Sequence, residues 1–212
     1  MRVRNKNSRP FHKNKSLFDI KIQQLLSCTL IDTILFSTDD QYLVESIKRY
    51  KTDKIIIDYR PKKYAANDTS TGELIKYAST ILQGEHILWT HVTSPFITES
   101  DYSTIIQTYF ESLDNGFDSL MTVTRHQKFI LNHKKQFNYD RGIDAWPRTQ
   151  TLAPLYEVDS GAFIAPLEVY RSNSDRIGAN CFLYEQPKLK SLDIDESEDF
   201  EICKLIYEIQ QI

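Results

Sequence analysis

Four short apolar runs, Asp32–Ser37, Lys54–Asp58, His86–Thr90 and Ser119–Val123, alternate with helix-periodic stretches at Gln41–Tyr50, Gly72–Leu82 and Glu99–Leu113. No other feature restricts the fold as much. Strands that alternate with helices of this length are joined by crossovers, which produces an α/β fold with a mainly parallel central sheet. Ligands of such sheets lie in the crevice beyond the carboxyl ends of the strands. The polar loops after Ser37, Asp58 and Thr90 all fall on that edge, so a site is expected there. At 212 residues the chain has room for a single domain, 1–212, with a small excursion inside it.

Ahead of the first of these strands, Leu17 to Leu26 carry a mixed apolar helical stripe. The first fifteen residues hold Arg2, Arg4, Lys6, Arg9, Lys13 and Lys15 and no acid, so they are expected to meet an anion. That anion is either nucleic acid on a flexible arm or a nucleotide phosphate held by a loop before a helix. The helix and strand that follow favour the phosphate loop. From Arg125 to Leu155 the alternation gives way to a basic, aromatic stretch with Trp146 and Pro147, which reads either as a partner surface or as a surface excursion with its own hairpin. Regularity returns at Gly161–Ile164, followed by a helix near Leu167–Ser172, short strands around Phe182 and Leu189, and an amphipathic helix at Phe200–Ile209.

Cys28, Cys181 and Cys203 are odd in number and widely spaced, which argues against a disulfide framework and against a zinc site. No apolar run approaches the ~18 residues of a membrane span. No apolar segment follows the N-terminal basic residues, as one would in a secretory signal. The expected location is the cytoplasm.

The stretch from Ser191 to Phe200, S-L-D-I-D-E-S-E-D-F, has two readings. If Leu192–Asp195 is extended, side-chain alternation sends Asp193 and Asp195 to one side and Leu192 and Ile194 to the other. Two hard carboxylates on one point suit Mg²⁺, which takes one or two protein carboxylates and fills its other positions with waters and substrate phosphates. Alternatively Ser197, Glu198 and Asp199 are the cap and first-turn acids of a helix, with the acidic run merely solvated.

Several pieces, taken in order, resemble the acylneuraminate cytidylyltransferase family, which makes CMP-sialic acid and related CMP-ulosonic acids. They are R-N-K-N-S-R-P-F-H-K-N (Arg4–Asn14), D-T-I-L-F-S-T-D-D (Asp32–Asp40), Y-R-P-K-K-Y-A (Tyr59–Ala65), T-S-P-F (Thr93–Phe96), R-T-Q (Arg148–Gln150), S-G-A-F (Ser160–Phe163) and L-D-I-D-E-S-E-D-F. The resemblance implies a Rossmann-like nucleotidyltransferase fold, CTP and an ulosonic acid as substrates, Mg²⁺, and a homodimer built through the 125–155 excursion, with no nucleic acid or membrane partner. It implies that Lys13, Arg4 and Arg9 hold the phosphates, with Lys13 nearest the developing charge. Asn14, Arg60 and Thr71 would orient the nucleotide; His91, Arg148, Gln150 and Ser160 would line the sugar site; and Asp193 and Asp195 would hold the metal. Asp39 and Asp40 read instead as a turn and a helix cap.

The departures from the family pattern carry information too. Asn5, Lys6 and Asn7 stand where a glycine-bearing phosphate loop is usual, His91 replaces a glutamine, and Ser160 and Ile164 occupy the places of an asparagine and a tyrosine near the sugar. The resemblance therefore points away from N-acetylneuraminic acid. Only Met1, Arg2 and Val3 precede Arg4. The first, central strand of the fold is thus expected to be truncated, as if translation began at an internal methionine. A catalytically inactive nucleotide-binding or assembly subunit of the same fold is the alternative function.

Overall fold

The computed structural model describes residues 5–66, 68–133 and 135–210. Met1–Arg4 lie outside these residues, and with them both the expectation about the first strand and the role expected of Arg4.

A two-residue turn joins β1 (Pro10–His12) to β2 (Lys15–Ser16), and the chain then enters α1 (Leu17–Ser27). The remaining elements are β3 (Ile34–Thr38), α2 (Gln41–Ile47), β4 (Ile55–Tyr59), α3 (Thr71–Ile81), β5 (His86–Trp89), α4 (Glu99–Asp114), β6 (Ser119–His126), β7 (Leu155–Pro166), α5 (Leu167–Ser172), β8 (Cys181–Glu185) and α6 (Ser197–Gln210). The local signals explain most boundaries. Ser16, Ser70 and Thr98 form reciprocal capping boxes with Asp19, Glu73 and Asp101, each joining two orphan amides of a helix start to side-chain oxygens. Asp40 caps α2 by accepting from the amides of Tyr42 and Leu43, as the turn-and-cap reading expected. Around Leu189, by contrast, the expected strand gives way to turns closed by the Lys190 and Ser191 amides on the Pro187 carbonyl.

β3 and β4 pair in parallel, and β5, β7, β6 and β8 form a sheet in that order. Because β7 is antiparallel to both β5 and β6 while β8 is parallel to β6, the strands β5, β6 and β8 run one way and β7 alone runs against them. β5, α4 and β6 thus keep the strand direction expected of a helical crossover, whereas β7, which an irregular excursion feeds rather than a helix, runs against its neighbours.

Helices cover both faces. Phe18, Ile22 and Leu25 of α1, Leu43 and Ile47 of α2 and Tyr102, Ile105, Ile106 and Tyr109 of α4 share one core with Ile34, Leu120, Ala162 and Ile164 of the strands. Ile75, Leu167 and Tyr170 of α3 and α5 bury Ile87 and Ala165 on the other face. A third cluster decides where the site forms: Phe11, Leu17, Ile20, Phe96, Ile194, Phe200, Cys203 and Tyr207 pack together. Each comes from a polar motif or an element beside one, so burying these apolar members draws the motifs' polar members to a common edge. α1 is buried on nearly every side, which is why its stripe looks mixed in the sequence: Asp19, Lys21 and Gln24 are buried along with its apolar residues.

Candidate active site

The basic N-terminal segment folds into a loop without glycine. Asn5 takes the left-handed backbone at φ 50°, and its carbonyl accepts the amides of Ser8 and Arg9 at 3.0 and 2.9 Å. Asparagine tolerates this region better than most residues, so Asn5 does here what glycine usually does. The β1–β2 turn places Lys13 and Asn14 at φ 46° and 64°, two successive positive values as in a type I′ hairpin. For lysine this costs about 1 kcal/mol, and the turn leaves both side chains exposed at its tip. Arg9 turns the other way, onto α6, where it lies 4.1 Å over the Phe200 ring and 3.4 Å from Glu201. Lys6, which the motif comparison had not singled out as a phosphate ligand, reaches the opposite end of the chain. Its ammonium donates to the Ile194 carbonyl at 2.5 Å and lies 3.5 Å from Asp195.

At the carboxyl ends of β3 and β4, the Arg60 guanidinium donates to the Ser37 hydroxyl and carbonyl at 3.1 and 2.5 Å. Asp58 accepts from Ser37 and from Tyr77, so the end of this strand pair is held by side chains from three elements. Thr71 opens α3, with Ser70 as its cap, and is exposed.

The T-S-P turn is fastened from beneath. Lys21, fully buried in α1, donates to the Ser94 carbonyl at 2.8 Å and to the Tyr102 hydroxyl at 2.6 Å, and Gln24 donates to the Pro95 carbonyl at 2.8 Å. The Tyr102 hydroxyl continues to Thr90, which donates to the Gly161 carbonyl at 2.7 Å. Burial lowers the Lys21 pKa to about 7, with Asp193 and Asp101 acting the other way. His91 stands beyond β5, its Nε2 accepting from the Trp89 indole at 3.2 Å with the Arg176 guanidinium 3.3 Å away. Burial first, then Arg176, Lys21 and Lys6, bring its pKa down to about 4, against the pull of Asp195. It therefore stays neutral well below pH 6, where an ordinary imidazole would begin to charge.

Ser160 owes its position to a break in β7. Between Met121↔Phe163 and Val123↔Val158 the register shifts, and Ser160 sits at φ 59° in the resulting bulge. Buried Asp159 pins it, accepting from Thr122 at 2.5 Å, the Gly161 amide at 2.9 Å and Gln186 at 2.9 Å. A Cβ on Gly161 would come within 2.6 Å of Ile97 and 2.7 Å of Gln186, so a side chain here would have to displace both. Bulges beside a site re-aim side chains, and this one turns Ser160 into a cavity of about 690 Å³ shared with Asp193, Asp195, Arg125, Lys128 and Lys188.

The two readings of the acidic run apply to different residues. Asp199 does the capping, accepting the amides of Asp195 and Glu196 at 3.1 and 2.7 Å. Asp193 and Asp195 are left to face the cavity, with fully buried Ile194 between them and its amide bonded to the Thr93 carbonyl at 3.0 Å. Asp193 Oδ1 is buried without a hydrogen-bond partner. Burial raises its pKa, as does Asp195, while a hydrogen bond from Thr93 and the charge of Lys6 hold it back. A buried orphan oxygen beside a second carboxylate is a donor set that fits Mg²⁺. Among the described residues no group of three or more His, Cys, Asp or Glu side chains could hold a metal ion by itself. Arg148 and Gln150 are not part of this cavity: both are exposed on the excursion, where their carbonyls accept from Thr151 and Gln127.

A phosphate-type loop, a pinned turn beyond β5 and paired aspartates, gathered at one edge of a helix-covered sheet, define a nucleotidyltransferase. Solved structures agree on the fold. A 4-diphosphocytidyl-2C-methyl-D-erythritol synthase from Anaerococcus prevotii superposes with a TM-score of 0.67 at 13% identity, over 92% of this chain and 87% of that one. A CMP:2-keto-3-deoxy-manno-octonic acid synthetase complexed with CTP gives a TM-score of 0.63 at 13% identity, over 96% and 92%. The chain belongs to the cytidylyltransferase family, whose sequence profile matches residues 1–204, and is an enzyme of that kind. It is 24% identical over 206 residues to a pseudaminic acid cytidylyltransferase of Campylobacter jejuni, which spans 92% of this chain and 86% of that relative. It is also 24% identical over 208 residues to an N-acylneuraminate cytidylyltransferase of Escherichia coli, over 95% of this chain and 48% of that longer protein.

Proposed function

We propose that this enzyme transfers CMP from CTP to the anomeric hydroxyl of a sialic-acid-like 2-keto sugar acid. The anomeric oxygen bonds to the α-phosphorus, the bond from that phosphorus to the α–β bridging oxygen breaks, pyrophosphate leaves and the hydroxyl proton is released. The observation that carries this reading is the convergence of Asp193, Asp195 and Ser160 on one cavity, with Lys6 at its rim. Asp193 and Asp195 would hold Mg²⁺, whose chemistry here is to neutralise phosphate charge and to lower the pKa of the attacking hydroxyl. Lys6 and Lys13 supply further positive charge for the triphosphate. Arg60 and Thr71 border the nucleotide, and His91 and Ser160 face the sugar.

The test is incubation with CTP, Mg²⁺ and a panel of pseudaminic acid, N-acetylneuraminic acid and 3-deoxy-manno-octulosonic acid, with release of pyrophosphate measured. Pseudaminic acid heads the panel because two of the relatives are named for it and because His91, Ser160 and Ile164 depart from the neuraminate pattern. CTP binding without turnover on any acid would identify an inactive subunit instead. His91→Gln is expected to raise the KM for the sugar acid by about tenfold and to leave that for CTP within about twofold, because the change falls on one neutral hydrogen-bonding group. Equal losses for both substrates would remove His91 from the sugar side.

We also infer a homodimer through the excursion, which exposes Leu131, Phe137, Ile143 and Trp146 at 60 to 88% of their surfaces. Exposed apolar groups in such number mark association surfaces. Light scattering should return twice the 24.8 kDa chain mass, and Trp146→Glu should shift the species toward monomer; a wild-type monomer at micromolar concentration would refute the assignment.

A further inference from the structure

Arg176, in the loop between α5 and β8, belongs to none of the motifs by which the family resemblance is read, yet it contacts His91, which feels the charges of Lys6 and Asp195 at the candidate site. Its guanidinium stacks 3.5 Å from the Phe163 ring centroid and lies 5.8 Å from that of Trp89, while one terminal nitrogen sits 3.3 Å from His91 Nε2. Trp89 and Phe163 are register partners on β5 and β7, so the arginine lies across two paired strands just where β5 delivers His91. It is only partly exposed, and among the described residues no carboxylate comes within ion-pair distance of it. A guanidinium has five N–H donors, and the side-chain partner recorded for this one is a single imidazole nitrogen. Burial works against the charged guanidinium, and Tyr170 and Asp175 act the other way without closing an ion pair; stacking on one aromatic face leaves most of its planar fork of donors unused.

His91 also bears on what that fork meets. Its Nε2 accepts from Trp89 and faces Arg176, so the remaining ring proton is on Nδ1, and the imidazole is a donor on that side. The imidazole thus offers Arg176 a neutral acceptor and no charge, and a guanidinium that closes no ion pair keeps donors that a planar carboxylate fits in bidentate fashion.

We propose that Arg176 is the specificity-determining residue that binds the carboxylate of the sugar acid, with the neutral His91 ring orienting it through Nε2. The proposal rests on the reading of the enzyme as a sugar-acid cytidylyltransferase. The other source of an oxyanion is the triphosphate of CTP. The carboxylate is preferred because Lys6 and Lys13 already serve the phosphates from the N-terminal loop, whereas Arg176 approaches from the β5–β7 side.

The experiment uses the full chain and the panel acid that the wild type turns over, together with the neutral carboxamide of that acid. Arg176→Gln is expected to raise the KM for the acid by about 100-fold, with the KM for CTP within about twofold, as expected when one charge-assisted bidentate contact is lost. Arg176→Lys should recover part of the loss. Wild type and Arg176→Gln should handle the carboxamide alike, a result that a merely structural role for the arginine would not give. CTP binding by calorimetry checks that each variant is folded, and the wild type's preference for acid over carboxamide provides a readout that needs no variant. An unchanged KM for the acid in Arg176→Gln, equal losses on acid and carboxamide, a loss falling on CTP, or a wild type indifferent to the carboxylate would each overturn the proposal while leaving the cytidylyltransferase reading intact. Failure of the wild type on every acid would overturn both.

Discussion

Asp195→Asn is expected to lower kcat by about 10³-fold, the scale of losing one preorganised charge at a phosphoryl-type transition state, and to leave the melting temperature nearly unchanged. The carboxylate is 80% exposed and, among the described residues, its ion pair is with Lys6, so folding is not expected to depend on it. Asp193→Asn should lose at least as much activity. Its stability should hold or rise, because burial disfavours the charged form that asparagine replaces. Asp199→Ala is the contrasting variant: it removes the cap on Asp195 and Glu196, is expected to cost about 1 kcal/mol of stability, and should retain most turnover. Pyrophosphate release at saturating Mg²⁺, read beside thermal melting, distinguishes the three. Full turnover in Asp195→Asn would reject the metal assignment, and a collapse of its melting temperature would make the residue a structural one.

Resistance to urea should increase from pH 7 to pH 8.5, with a gain on the order of 1–2 kcal/mol in unfolding free energy that Lys21→Met abolishes. The sign follows from the Lys21 pKa, about 7 in the folded protein against an ordinary 10.5. Between these values the unfolded chain binds the extra proton, so raising the pH favours the native state; below pH 7 both states are charged and the full cost of burying the ammonium is felt. The groups facing Lys21 are Tyr102 of α4, the Ser94 carbonyl, Asp101, Asp193 and His91. The window closes upward because Cys203, raised to about 11 by burial, begins to erode stability above its ordinary value of 9. At the acid end His91, at about 4, acts in the same direction as Lys21 between pH 4 and 6.5, while Asp193, raised by burial, opposes it. A flat or falling profile between pH 7 and 8.5 would show that Lys21 holds its proton in the folded protein as firmly as in the unfolded chain. Chelator in the buffer keeps bound cations from contributing.

What short-range sequence determined is local, and for a physical reason. A capping box such as Ser70 with Glu73, the Asp40 cap, the two-residue turn at Lys13 and Asn14 and the alternation that buries Ile194 between Asp193 and Asp195 each depend on residues a few positions apart. Backbone geometry therefore dictates them before any core exists. The same is true of the strand–helix alternation, hence of the edge on which the site lies.

Tertiary structure alone decided which charges reach that edge. Lys6 and Ile194 are 188 positions apart, and Lys21 and Ser94 are 73 apart. Nothing in the basic run Arg4–Lys15 indicates that Arg9 will stack on Phe200 while Lys6 crosses to Asp195, because packing of the Phe11, Phe96, Ile194 and Phe200 cluster sets the direction each one faces. Lys21 lies inside an apolar stripe and reads as an interruption of it; only burial against the T-S-P turn makes it a tether. The bulge at Asp159–Ala162 and the approach of Arg176 to His91 arise from β7 running against its neighbours and from a loop between α5 and β8. Neither has a local signature, because both depend on where distant strands come to lie.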